Sequence, residues 1–131
     1  MKSRKDISIL VVEDSFNIRS AMVRFLRENG YTTVHIAGDG QEALGILRRE
    51  QVNLLISDWD MPNVSGLDLL KRVRGGPQTK DLPFLMVTMK GTKQEILDAI
   101  KAGVSDYMVK PFSAQTLMDK VNKIVAKHGL A

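Results

Sequence analysis

Three short runs of the sequence are apolar at nearly every position: Ile7-Ser8-Ile9-Leu10-Val11-Val12, Asn53-Leu54-Leu55-Ile56-Ser57 and Pro83-Phe84-Leu85-Met86-Val87-Thr88. A strand with one wet face alternates apolar and polar residues. A strand that does not alternate is covered on both faces, which is the condition of a parallel sheet between helical layers. The intervening segments carry the helical period that such layers need. Ile18, Ala21, Met22, Phe25 and Leu26 recur at helical spacing within 15–29, and Gly30 suits the position just past that helix. Ala43, Leu44 and Leu47 share one face of 40–50, and Leu69, Leu70 and Val73 mark 65–74, which Gly75-Gly76-Pro77 ends. Thr92 and Glu95 form a capping-box pattern opening a helix through Ala102. Ser113 caps a last helix with Leu117, Val121, Ile124 and Val125 inside. Residues 32–37 alternate as an edge strand does, and 105–109 read as a weaker strand. Five strand–helix units joined by right-handed crossovers make an open, doubly wound α/β sandwich.

The 131 residues suit one domain, with residues 1–6 as a short basic tail. The absence of cysteine excludes disulfides, thiol chemistry and thiolate metal sites. No apolar run approaches the ~20 residues of a membrane span. Residues 1–6 lack the apolar stretch of a signal peptide, so a cytoplasmic location away from the membrane is expected. The net charge of +4 is spread over separate helical segments with no aromatic residues between the basic ones. That pattern reads as solvated helix faces rather than a direct nucleic-acid interface.

Open α/β sheets bind ligands beyond the carboxyl ends of their strands, where the strand order reverses. Here the first strand runs into Glu13-Asp14, and the third ends at Asp58 with Asp60 in the following loop. The fourth ends at Thr88 and the fifth at Lys110-Pro111. Acids gathered at adjacent strand ends repel one another, which a cation among them relieves. Ligation by oxygen alone points to Mg²⁺, with Mn²⁺ or Ca²⁺ as the alternatives. His35 on the edge strand and His128 near the C-terminus read as surface residues. A hydroxyl (Thr88) and an ammonium (Lys110) facing the same cation make a clamp for a transferring phosphoryl group. A Gly-rich phosphate loop is missing, so no nucleotide is expected. The nucleophile is then a carboxylate, and Asp58, on the central strand, is the acceptor of choice. Pro62 stiffens the turn that follows.

The segments Val11-Val12-Glu13-Asp14-Ser15, Ser57 to Gly66, Met86-Val87-Thr88 and Val109-Lys110-Pro111-Phe112 resemble the receiver domain of bacterial two-component response regulators. The likeness runs over about residues 7–128, and Asp58-Trp59, Met61-Pro62 and Tyr107 look most like the stand-alone chemotaxis regulators. It implies a flavodoxin-like (βα)5 fold with strand order 2-1-3-4-5, an order that comes with the family and not from the spacing. It implies that Asp58 takes a phosphoryl group from a histidine kinase, with only self-catalysed phosphorylation and autodephosphorylation as enzymatic activity. Asp14 and Asp58 would ligate Mg²⁺ by side chain, Asp60 by its backbone carbonyl and Glu13 through water. Lys110 would pair with the phosphoryl group, ahead of a cis bond to Pro111. Thr88 would move toward the phosphoryl oxygen and Tyr107 would follow it inward. That remodels the face of the fourth helix, fifth strand and fifth helix for a downstream protein such as the flagellar motor switch. Asp60, Met89 and Lys90 would flank the water's approach and set phosphoryl lifetime, with a separate phosphatase as a further partner. Glu13 stands where many relatives have Asp, Asp60 where chemotaxis members often have Asn, and Met89 where a small residue is usual.

Two other readings fit parts of the pattern. Asp58-Trp59-Asp60 imitates the Asp-x-Asp of haloacid-dehalogenase phosphatases, but that motif belongs on the first strand, ahead of an acidic pair that here precedes it. The chain could equally be the receiver piece of a larger regulator with an output domain. A flavodoxin-like flavin binder would need a phosphate loop after the first strand, where none is found.

Overall fold

In the computed structural model, which describes residues 3–89 and 91–130, the two-sided burial of the apolar runs is realised as a five-stranded parallel sheet. The strands are β1 (Ser8–Val12), β2 (Thr33–Ala37), β3 (Leu54–Asp58), β4 (Phe84–Thr88) and β5 (Asp106–Val109), in the spatial order β2-β1-β3-β4-β5. Leu10 lies between His35 and Leu55, Asp58 lies beside Val87, and Thr88 lies beside Val109. The helices are α1 (Phe16–Glu28), α2 (Gly40–Arg49), α3 (Gly66–Gly75), α4 (Lys93–Lys101) and α5 (Ala114–Lys127). Each begins at a side chain that accepts from a first-turn amide: Ser15, Asp39, Ser65, Thr92 and Ser113 in turn.

The period of two within each strand sorts the core into two layers. Ile9, Val11, Leu54, Ile56, Leu85 and Val87 face α1 and α5, meeting Met22, Leu26, Leu117 and Val121. Leu10, Val12, Leu55, Phe84 and Met86 face α2 and α3, meeting Ala43, Ile46, Leu69 and Leu70. Every residue of β1, β3 and β4 is buried, whereas in β2 at the sheet edge only Ala37 is. The chain leaves β1 toward β2, then crosses back over β1 to β3. That reversal opens a crevice between the carboxyl ends of β1 and β3.

Two local features differ from the sequence reading. The segment read as a basic tail includes a single 3-10 turn, Arg4–Asp6. It is pinned because Arg4 Nη1 donates to the Asn29 carbonyl at 2.7 Å and its guanidinium lies 5.1 Å from the ring centre of buried Tyr31. At α4, half of the capping box forms. Thr92 Oγ1 accepts from the Glu95 amide at 3.2 Å, while the Glu95 carboxylate is engaged by Thr88. Lys90 lies outside the described residues.

Candidate functional site

At the crevice, the Glu13 amide donates to the Ala37 carbonyl at 3.0 Å, which extends β1 to the rim and leaves Glu13 buried. Arg19 Nη1 donates to the Glu13 carbonyl at 2.9 Å, and the Ser15 amide donates to Glu13 Oε2 at 3.2 Å. Asp14 follows, exposed. Asp58, the last residue of β3, is buried beside them. Carboxylate oxygens of Glu13, Asp14 and Asp58 lie within 4.8 Å of one another. The Lys110 amide donates to the Thr88 carbonyl at 2.7 Å, and the Lys110-Pro111 bond is cis. From there Lys110 Nζ donates to Glu13 Oε1 at 2.6 Å and stands 3.2 Å from Asp58 Oδ1. The lysine expected opposite a phosphoryl group thus makes its shorter contact to Glu13. Among the described residues, buried Asp58 Oδ1 has the Lys110 ammonium 3.2 Å away but no aligned hydrogen bond.

The electrostatics follow from this crowding. Burial pushes the Asp58 carboxyl above the usual range; the Lys110 charge opposes that without cancelling it, and the Asp60 charge adds to it. Burial likewise raises Glu13, opposed by the Lys110 hydrogen bond and reinforced by the Asp58 charge. Burial alone would lower Lys110, but the Glu13 hydrogen bond and the two carboxylate charges hold it above the lysine norm. The folded chain therefore carries two acids that resist ionisation and one cation shared between them. Three clustered oxygen donors, one unsatisfied, with no imidazole or thiol in the group, fit a hard divalent cation.

The remaining residues singled out from the sequence sit around this centre. Thr88 is buried at the end of β4, and its hydroxyl donates to Glu95 Oε1 at 3.0 Å. Asp60 is exposed in the loop after β3. Tyr107 on β5 is half-buried, with Lys120 Nζ 5.5 Å from its ring centre. Met89 is 66% exposed yet lines an apolar groove with Ile18, Ala21, Phe25, Pro111 and Phe112, running up to Lys110.

Two residues given no role of their own by the sequence reading shape the site. One is Glu95, read there only as half of a cap. The other is Gly66, at the start of α3. Its amide donates to the Trp59 carbonyl at 2.8 Å. A Cβ there would run into the Asp58 carbonyl oxygen and lie 2.8 Å from the Trp59 Cα. A glycine closing the loop that follows an acid-ending strand is the signal that marks it. Gly66→Ala is expected to destabilise the fold by ~1–3 kcal/mol through this overlap and to weaken metal binding by moving Asp58. Urea unfolding and a Mg²⁺ titration of the variant check both.

Comparison with known proteins gives one consistent result. The family described as response regulator receiver domain matches residues 9–122. The chain is 39% identical over 120 residues to chemotaxis protein CheY-3 of Vibrio cholerae, spanning 92% of each chain. It is 42% identical over 118 residues to chemotaxis protein CheY of Pseudomonas aeruginosa, covering 90% of this chain and 95% of that one. Among solved structures it is similar to chemotaxis response regulator CheY4 of Vibrio cholerae, with a TM-score of 0.85 and 32% identity over 90% of this chain and 98% of that one. A response regulator receiver protein from Pseudomonas putida gives a TM-score of 0.84 and 29% identity, over 94% and 99%.

Proposed function

The chain belongs to the response regulator receiver family, and from that premise we propose that Asp58 is its phosphoryl acceptor and a sensor histidine kinase its donor. The observation that carries this reading is the unsatisfied, buried Oδ1 of Asp58, held 3.2 Å from Lys110 within the three-carboxylate cluster. Burial holds the Asp58 carboxyl above the usual range against the opposing pull of Lys110, which makes it the more basic nucleophile. In the transfer, an Asp58 oxygen forms a bond to phosphorus while the bond to the donor's histidine nitrogen breaks.

Mg²⁺, held by Asp14, Asp58, the Asp60 carbonyl and Glu13 through water, would offset the charge on the phosphoryl oxygens. Mn²⁺ suits the same donors. Lys110, already shared between two acids, turns toward the phosphoryl group. Thr88 offers it a charge-assisted hydrogen bond from the neighbouring strand. The inward move of Thr88 vacates space for Tyr107, a two-state element biased by one local charge. The likeness to named chemotaxis proteins supports a role in chemotaxis, and a partner in motor control that reads the face of α4, β5 and α5 fits that role. Phosphorylation and its loss are self-catalysed, and a separate phosphatase is the natural partner for a slow site.

The test is stoichiometry. Acetyl phosphate with Mg²⁺ is expected to add one acid-stable, base-labile phosphoryl group per chain and then stop. Continuous turnover of small phosphate esters would favour the phosphatase reading instead. Met89 bears on the rate in this reading: from its place beside Lys110 and Pro111, its side chain would narrow the approach to Asp58. Met89→Ala is expected to speed both labelling and phosphoryl loss severalfold. Unchanged rates in both directions would remove Met89 from the gate.

A further inference from the structure

We propose that Glu95 is a positioning residue: its carboxylate holds the Thr88 hydroxyl in the resting conformation and so sets how readily the site accepts a phosphoryl group. The inference rests on the reading above, in which Thr88 binds that group.

Thr88 is 3% exposed and ends β4, and its Oγ1 donates to Glu95 Oε1 at 3.0 Å. Glu95 is in the first turn of α4, with its amide donating to Thr92 Oγ1 at 3.2 Å. The acceptor therefore stands on a capped helix start and not on a wandering loop. A threonine hydroxyl has one proton to donate. It can give that proton to the Glu95 carboxylate or to a phosphoryl oxygen on Asp58, but not to both. Each is a charge-assisted hydrogen bond, so the two compete on similar terms. The contact to Glu95 favours the resting arrangement, and the affinity of any phosphoryl group or mimic falls by the fraction of chains in which Thr88 is so held.

The same exchange has a consequence at α4. When Thr88 turns to the phosphoryl group, Glu95 loses its donor and the first turn of α4 loses a tie to β4. The helix whose face a partner reads is then loosened at its start by the event that moves Thr88. Glu95 carries the signal to α4 by this route, beside the one through Tyr107.

The experiment is a titration of the full chain with beryllofluoride, a tetrahedral phosphoryl mimic, in saturating Mg²⁺. The fluorescence of Trp59, the chain's single tryptophan and the neighbour of Asp58, reports binding. Glu95→Ala keeps the backbone amide that Thr92 caps and removes the acceptor, so affinity is expected to tighten about tenfold, the scale of one hydrogen bond to a charged group. Glu95→Gln retains a neutral acceptor and is expected to tighten less. In a Thr88→Ala background, Glu95→Ala is expected to change nothing. Unchanged affinity in the single variant overturns the proposal. Equal tightening in the Thr88→Ala background also overturns it, because Glu95 would then act only as a nearby negative charge. Failure of the parent chain to bind beryllofluoride at all overturns the phosphoacceptor site itself, and this inference with it.

Discussion

Replacing Lys110 by methionine lowers the stability of the metal-free protein by about 3 kcal/mol at neutral pH, the usual scale for stranding a buried charge. The variant leaves Glu13 and Asp58 buried, at 2% and 4% side-chain exposure, without the ammonium they share. Both carboxyls already lie above their ordinary pKa in the parent. The folded state thus binds protons more readily than the unfolded chain across the pH range above the ordinary carboxylate pKa. Stability contributed by these groups is present at low pH and is lost as pH rises through their folded values. Removing Lys110 raises both further, so the deficit of the variant shrinks on acidification. Lys110 itself, raised by its partners, contributes stability that is complete below the ordinary lysine pKa and is lost only on the alkaline side of it. Urea unfolding of parent and variant at neutral and mildly acid pH measures the difference. A deficit of the same size at both pH values would mean that Lys110 acts by packing and not by charge.

Mg²⁺ is expected to raise the melting temperature of the parent by about 10 °C at a hundredfold excess over Kd, equivalent to ~2.7 kcal/mol. In the proposed site the gain would come from a cation relieving carboxylate repulsion, with Asp14 and Asp58 as ligands and Glu13 acting through water. Ligation requires the ionised acids, so the Mg²⁺-dependent gain grows with pH while the metal-free protein weakens. Asp14→Ala removes an exposed ligand that contributes no core packing, and most of the gain should vanish with little change in metal-free stability. An undiminished rise in that variant would remove Asp14 from the metal site.

The residues that were legible in advance are those whose roles are written in local pattern. Leu10, Leu55 and Phe84 announced a sheet buried on both faces because their runs are apolar at nearly every position. Asp58 was legible because a carboxylate ending such a run is costly to bury and needs a reason. The order of the strands was available only through family likeness, since spacing fixes right-handed crossovers but not which edge each strand joins. The Lys110–Glu13 contact joins residues far apart in sequence and depends on the relative reach of two side chains at the rim, which no local pattern encodes. Glu95 was hidden for a different reason. Its spacing from Thr92 satisfies a capping box, and the nearby Thr88 hydroxyl competes successfully for the same carboxylate. Arg4, read as part of a basic tail, has local charge that fits that reading; its seat over Tyr31 is a tertiary contact.

The central claim is that Asp58 accepts the phosphoryl group, and the direct measurement is to locate it. Labelling with acetyl phosphate and Mg²⁺, reduction of the acyl phosphate with borohydride and peptide mass spectrometry convert the modified residue to its alcohol. The account predicts homoserine at position 58, next to Trp59, and no label on Asp58→Asn. Label on Asp14 or Asp60 in the parent chain, or full labelling of Asp58→Asn, would contradict it.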